Sequence, residues 1–283
     1  MTIIEPKVEL LEQQDAVSHV ARCARVCYDK ETGNNDKKLY YDLIKKNHWS
    51  PFRHFTYYAI APYNNDFVCN IISNLWRSRL KAVGIDVESG NKCYYIVYNG
   101  NWALDNPDYH QQLSDFHVSP EEFANASECA WNMMHYTFRI TTQISTSREL
   151  NRVSPNNITE LSTRYVDLKN GAICRPHWMA EEEAENWNDG LVDNLSIRTE
   201  TYCRSCDRAF DDYRKLIEQF DFRREDARGI LPLDTATKVI YTYSWPEWKH
   251  IIELRSDKRA HPNCQIIANM IKKELEELGY DFK

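Results

Sequence analysis

Eight glycines are spread through 283 residues, and none falls in a GxGxxG run, a GxxxxGK[ST] loop or a GxSxG elbow. A doubly wound dinucleotide-binding fold needs glycine where its backbone closes on a pyrophosphate and where its first helix packs on the sheet. That architecture is therefore excluded, and any nucleotide or cofactor must be held by side chains. With 42% hydrophobic and 12% aromatic residues a core can form, a balance that disordered chains do not reach. No stretch approaches the ~18 apolar residues that a membrane span requires. The start, Met-Thr-Ile-Ile-Glu-Pro-Lys, lacks the layout of a signal peptide, so a cytoplasmic protein without membrane partners is expected. A net charge of −7 speaks against a broad nucleic-acid face, yet it permits a small cationic pocket.

Periodicity gives an α+β expectation, a sheet with a helical layer. Residues 5–11 and 55–61 alternate as strands, with Pro62 ending the second, and 93–98 reads as another. Helical spacing runs through 15–28, 36–46, 66–81 and 119–138, the last opening on a Ser-Pro-Glu-Glu start signature. One or two helices are expected over 181–220, and others at 224–230, 247–255 and 263–278. Residues 146–168 are dense in Arg, Ser, Asn and Glu, the profile of a binding segment rather than a core element. The nine cysteines are expected as reduced thiols. The lone Cys203-x-x-Cys206 lacks the second pair or histidines of a metal site.

Three segments set charged side chains among apolar ones: His48 to His54, Ser147 to Tyr165, and Arg223 to Arg228 together with Glu253-Leu254-Arg255. In Ser162-Thr163-Arg164-Tyr165, a hydroxyl, adjacent amides and a guanidinium fork would suit phosphate, although a solvated turn with a surface ion pair fits the same residues. Arg255, behind Ile251, Ile252 and Leu254 on a helix, needs a partner if buried. That partner is a nearby carboxylate or a substrate.

In this order the segments resemble the flavin-dependent thymidylate synthases. Arg152-Val153-Ser154, seven residues, then Ser162-Thr163-Arg164-Tyr165 is similar to the family's Arg-His-Arg, seven residues, Ser-x-Arg-Tyr. Arg224-Glu225-Asp226-Ala227-Arg228-Gly229-Ile230-Leu231-Pro232 resembles its Arg-Glu-x-Ala-Arg-x-x-Leu-Pro. Trp248 to Arg255 resembles its x-x-His-Phe-Leu-x-Leu-Arg, and His48 to His54 its His-x-Ser/Thr-Pro-Phe-Glu-His. Departures fall on the flavin side. Val153 stands for the central His, Ser154 for the second Arg and Arg53 for the Glu, while Ser244-Trp245-Pro246 replaces Asn-x-Arg.

The resemblance implies one domain over 1–283 with a mixed or antiparallel sheet and an unmatched insertion at about 63–135. It implies reductive methylation of dUMP to dTMP with FAD, NADPH and methylenetetrahydrofolate in a homotetramer. Arg255 would act catalytically against the uracil. Ser162, Thr163 and Arg164 would hold the phosphate, with Arg152 and Arg228 adding charge and Glu149 and Glu160 accepting hydrogen bonds. His48, Ser50, Arg53, Arg152, Val153, Ser154, Ser244 and His250 would line the flavin. A C5-methylase or hydroxymethylase for UMP or dCMP, or a non-catalytic nucleotide-binding homologue, are the alternatives.

Overall fold

The computed structural model describes residues 1–30, 32–63, 65–75, 81–84, 93–152 and 157–282. Its strands are β1 (Thr2–Ile4), β2 (Lys7–Leu10), β3 (Thr56–Pro62), β4 (Lys81–Gly84), β5 (Cys93–Asn99), β6 (His135–Gln143), β7 (Ile158–Glu160), β8 (Ala172–Cys174) and β9 (Ala236–Ser244). The N-terminal helices are α1 (Ala16–Arg25), α2 (Asp36–Lys45) and α3 (Asp66–Leu75), followed by the short α4 (Gly100–Asp105), α5 (Pro107–Leu113), α6 (Pro120–Ala126) and α7 (Glu128–Asn132). The rest are α8 (Ile144–Asn151), α9 (Glu181–Asn188), α10 (Ile197–Glu218), α11 (Arg224–Ala227), α12 (Trp245–Ser256) and α13 (Pro262–Glu277). The expected α+β class holds, with the strands divided among three sheets.

The central sheet runs β2-β6-β9-β7, every pair antiparallel. Periodicity assigns no element to 236–244, yet six of the nine residues in Ala-Thr-Lys-Val-Ile-Tyr-Thr-Tyr-Ser are β-branched or aromatic, which suits a pleated, two-sided strand. Side chains alternate across the sheet. Phe138, Ile140, Val239, Tyr241 and Tyr243 face α12 and α13, whose Trp248, Ile251, Ile252, Ile267 and Ile271 close that core. Ile240 faces the other way, onto Leu11, Cys23 and Val26. Truncating Ile271, fully buried on α13, would remove about 2–5 kcal/mol of stability.

A second sheet, β3-β5-β4, lies within 56–132 and has a core on each face. Ile96 and Tyr98 pack with Ala59, Val68, Trp102 and Leu113, while Tyr95 and Val97 pack with Tyr58, Phe123 and Ala130. The strand expected at 5–11 is β2, which starts only at Lys7; Pro6, which cannot donate to a ladder, separates it from β1. β1 then leaves to pair in parallel with β8.

Several expected elements divide differently. The helix over 119–138 is two short helices and the start of β6. The Ser119 hydroxyl accepts from Glu122 N–H at 3.1 Å, and a second cap at Ser127, accepting from Ala130 N–H at 3.1 Å, restarts the chain. Lys81, expected at a helix end, begins β4. Residues 146–168 do contribute core: Thr146, Ser147 and Leu150 of α8, and Thr159, Leu161 and Leu168, are buried. Cys203 and Cys206 are free thiols packed with Ile3, Ile173 and Phe210, and burial pushes the Cys203 thiol up to about 12. Among the described residues no helix is long and apolar enough to cross a membrane, and no metal-ligating cluster occurs.

Candidate functional site

β7 ends at Glu160, and the chain turns at once. Ser162 N–H donates to the Cys27 carbonyl at 3.1 Å, and the Ser162 carbonyl accepts from Tyr165 and Val166 N–H at 3.1 and 3.0 Å. Thr163 and Arg164 are thereby presented at the surface. The 224–230 segment comes up beside them. Arg228 Nη1 donates to Thr163 Oγ1 at 2.9 Å and Arg228 Nε to the Glu225 carbonyl at 3.2 Å. Arg164 Nε donates to the Glu225 carboxylate at 3.1 Å. Arg224 donates to the Tyr165 carbonyl at 2.9 Å and pairs with Asp167. The Tyr165 ring stacks on Tyr28 at 5.7 Å, both exposed. Ion pairs this exposed add little to stability, so the guanidiniums remain available to an anion at small cost.

A separate, buried polar group surrounds Glu160, and no described contact joins it to the arginine group. Glu160 Oε1 accepts from Ser147 Oγ at 2.8 Å and Thr237 Oγ1 at 3.0 Å. Burial raises its carboxyl above the ordinary range, against the two hydroxyls that favour the charged form. Tyr241 OH donates to Asn151 Oδ1 at 2.6 Å. On α12, Arg255 Nη2 donates to the Glu149 carbonyl at 2.6 Å, while its buried Nε has no partner among the described residues. A buried guanidinium N–H left unpaired is costly, so Nε is a donor awaiting an acceptor. The described partner of Arg255 is thus a backbone carbonyl, where its sequence context suggested a nearby carboxylate or a substrate.

The residues expected around a flavin are more scattered. His48, Ser50, Arg152 and His250 are exposed, and no described contact joins them to the arginine group. Arg53 Nε donates to Asn101 Oδ1 at 3.2 Å. Ser244 is buried and caps α12, its N–H and hydroxyl both donating to Glu247 Oε2 at 2.8 and 2.7 Å. Val153 and Ser154 lie outside the described residues. Thr237, Tyr241 and Asn101 escaped sequence reading; for the first two the β-branched and aromatic content of 236–244 was the available signal.

The neighbour of Arg53 is the best-satisfied histidine. His54 is fully buried, with Nδ1 2.9 Å from Thr242 Oγ1 and Nε2 2.8 Å from Thr159 Oγ1, and Thr242 Oγ1 lies 2.8 Å from Thr137 Oγ1. Burial pushes its imidazole down to about 3, so it is neutral at physiological pH and makes one bond as donor and one as acceptor.

The Thy1 model, described as thymidylate synthase complementing protein, matches residues 120–278, the span from α6 through the turn at Ser162, Arg228 and α12. A flavin-dependent thymidylate synthase of Aquifex aeolicus is 23% identical over 93% of this chain and 95% of its own length. Another, of Thermosipho melanesiensis, is 27% identical over 50% of this chain and 63% of its own. Among solved structures, the UMP/dUMP methylase PolB from Streptomyces cacaoi bound with 5-Br dUMP superposes with a TM-score of 0.44 at 18% identity, covering 98% of this chain and 93% of that one. With the family model spanning more than half of its length, the chain belongs to the thymidylate synthase complementing protein family.

Proposed function

We propose that this chain methylates C5 of a pyrimidine nucleoside monophosphate, converting dUMP to dTMP with FAD, NADPH and methylenetetrahydrofolate. One observation carries the reading: Arg228 reaches across 65 residues of chain to donate to Thr163, beside Arg164 on an exposed turn. Two guanidiniums, a threonine hydroxyl and Ser162 are a donor set for a phosphate monoester. The family relationship and the names of the relatives support the chemistry.

The residues divide the work. Ser162, Thr163, Arg164 and Arg228 hold the phosphate, and Arg152 adds charge at its edge. Arg255, oriented by the Glu149 carbonyl, offers its unpaired Nε to the base. A fixed cation there stabilises negative charge on the ring as C5 attacks the methylene carbon and its proton leaves. Glu160 fixes Ser147 and Thr237 below. The unmet donor of Arg255 fits an anionic ring edge, and the exposed His48, Ser50, Arg152 and His250 leave room for a flavin between copies of the chain, as a homotetramer would provide. Arg53, Val153, Ser154 and Ser244 complete that set, although Arg53 and Ser244 already donate to Asn101 and Glu247. When bound, the flavin supplies the hydride that turns the transferred methylene into methyl. The chain is read as one cytoplasmic domain with 63–135 as an insertion.

Tritium release from C5-labelled dUMP, dependent on FAD and methylenetetrahydrofolate, is the expected result. The bond from Arg53 to Asn101, where the resemblance implies a Glu, favours a second reading, a C5-methylase or hydroxymethylase for UMP or dCMP. Release from those nucleotides and not dUMP would select it. A colourless protein that takes up no FAD and releases no tritium overturns both.

A further inference from the structure

Between α1, α2 and the 56–132 unit lies a cleft of about 180 Å³ walled by Tyr40, Phe52, Phe55, Tyr57, Leu104 and His110. It shares no lining residue with the arginine group. No lysine or arginine lines it, so a phosphorylated ligand would meet no countercharge there.

The one ionisable wall residue with a basic nitrogen, His110, is held by a relay. The buried Tyr98 hydroxyl lies 3.0 Å from His110 Nδ1 and 2.5 Å from His117 Nε2. One hydroxyl carries one proton, so it donates to one imidazole and accepts from the other, and the two tautomers are set together. Tyr57 stacks over Tyr98 at 5.2 Å and over His117 at 5.1 Å, locking the ring planes. Burial lowers both imidazoles, His117 to about 4, so the relay is neutral. With Nδ1 taken, Nε2 is the hydrogen-bonding atom that His110 has left, and no described residue bonds it.

We infer that this cleft binds a neutral, single six-membered ring that presents a hydroxyl or ring-amide edge to one imidazole nitrogen, the chemistry shared by a phenol and a free pyrimidine base. An apolar cavity of about 150 Å³ takes up benzene, so this volume accepts one substituted ring and is too small for the three fused rings of a flavin. The aromatic walls supply stacked and edge-to-face contacts, and His110 Nε2 selects for a hydroxyl or ring amide. The site is independent of the proposed methylation.

Titration of the full chain with phenol, uracil and toluene by ligand-observed NMR tests this. Phenol or uracil should bind, and whichever binds identifies the source. Toluene should bind about three- to tenfold more weakly, the worth of one hydrogen bond. Leu104→Trp, which fills the mouth, should abolish binding. His110→Phe, which keeps the ring and removes the nitrogen, should bring the polar ligand to the level of toluene while leaving toluene and dUMP binding unchanged. If Leu104→Trp does not fold, His110→Phe decides alone. Failure of both polar rings to bind, toluene binding as tightly as they do, or displacement of the ring by dUMP at stoichiometric occupancy overturns the inference.

Discussion

Thr159 and Glu160 are adjacent on β7 and face opposite sides of the central sheet, and the polar networks they join differ in kind. On the Thr159 side, His54, Thr242 and Thr137 form a closed, neutral circuit in which each imidazole nitrogen is matched. On the Glu160 side, Ser147 and Thr237 bind one carboxylate oxygen and Arg255 keeps an unmet Nε, while past the end of β7 Thr163, Arg164 and Arg228 gather at the surface. A closed network contributes to stability and specificity. An open one leaves donors for a ligand to complete.

The largest effect should come from breaking the closed side. His54→Leu leaves the buried Thr159 hydroxyl without its imidazole partner and Thr242 with Thr137 alone, and should cost about 2–4 kcal/mol in urea unfolding; a loss within about 0.5 kcal/mol would refute the structural reading. Acid probes the same side. His54 and His19 are buried, with imidazoles lowered to about 3 and about 4. Below the unfolded pKa of about 6.5 the unfolded chain binds protons that the native chain does not. Stability should therefore fall with pH through the window from ~6.5 towards 4, by about 1.4 kcal/mol per unit for each of these imidazoles. His54→Gln should remove one such increment from the slope.

On the open side, Arg255→Gln should lower turnover about 10²- to 10³-fold, the worth of a fixed donor at developing charge, while the urea midpoint shifts far less than in His54→Leu. Equal losses in both assays would erase the distinction between the two faces. Arg228→Ala should weaken dUMP binding about tenfold, the loss of one charge-assisted contact, and move stability by no more than about 0.5 kcal/mol, read by calorimetry and melting. The smallest effect is expected from Glu160→Gln, which can still accept from Ser147 and Thr237. Because burial raises the Glu160 carboxyl, the native state holds its proton more tightly than the unfolded state, and stability declines as pH rises through its titration. The variant should be more stable than the parent at neutral pH and equal to it at pH 4. Greater stability of the parent at pH 7 would show that the charged form is favoured in place.

Much of this was legible because it is local. Capping at Ser119, the apolar stripe of α13 and the Ser162 to Tyr165 turn depend on residues within a few positions of each other, and spacing reports such things. β9 was missed because both of its faces are buried, so alternation of polarity gives no contrast. The 119–138 stretch misled because Ser127 restarts a helix that composition alone would continue. His54 was grouped with the other charged side chains of the 48–54 segment, since no periodicity tells a buried, doubly bonded imidazole from a solvated one.

What the amino-acid order determined by itself was most of the helices, the polar turn at Ser162 to Tyr165, and the exclusion of a glycine-built nucleotide fold, all consequences of side-chain chemistry and short-range sterics. Only the tertiary structure decided which of these side chains meet. Thr163 and Arg228, Glu149 and Arg255, and Tyr98 with His110 and His117 are joined by sheet register and helix packing. Those contacts arise from burying apolar faces far apart in the chain, and no local pattern encodes them.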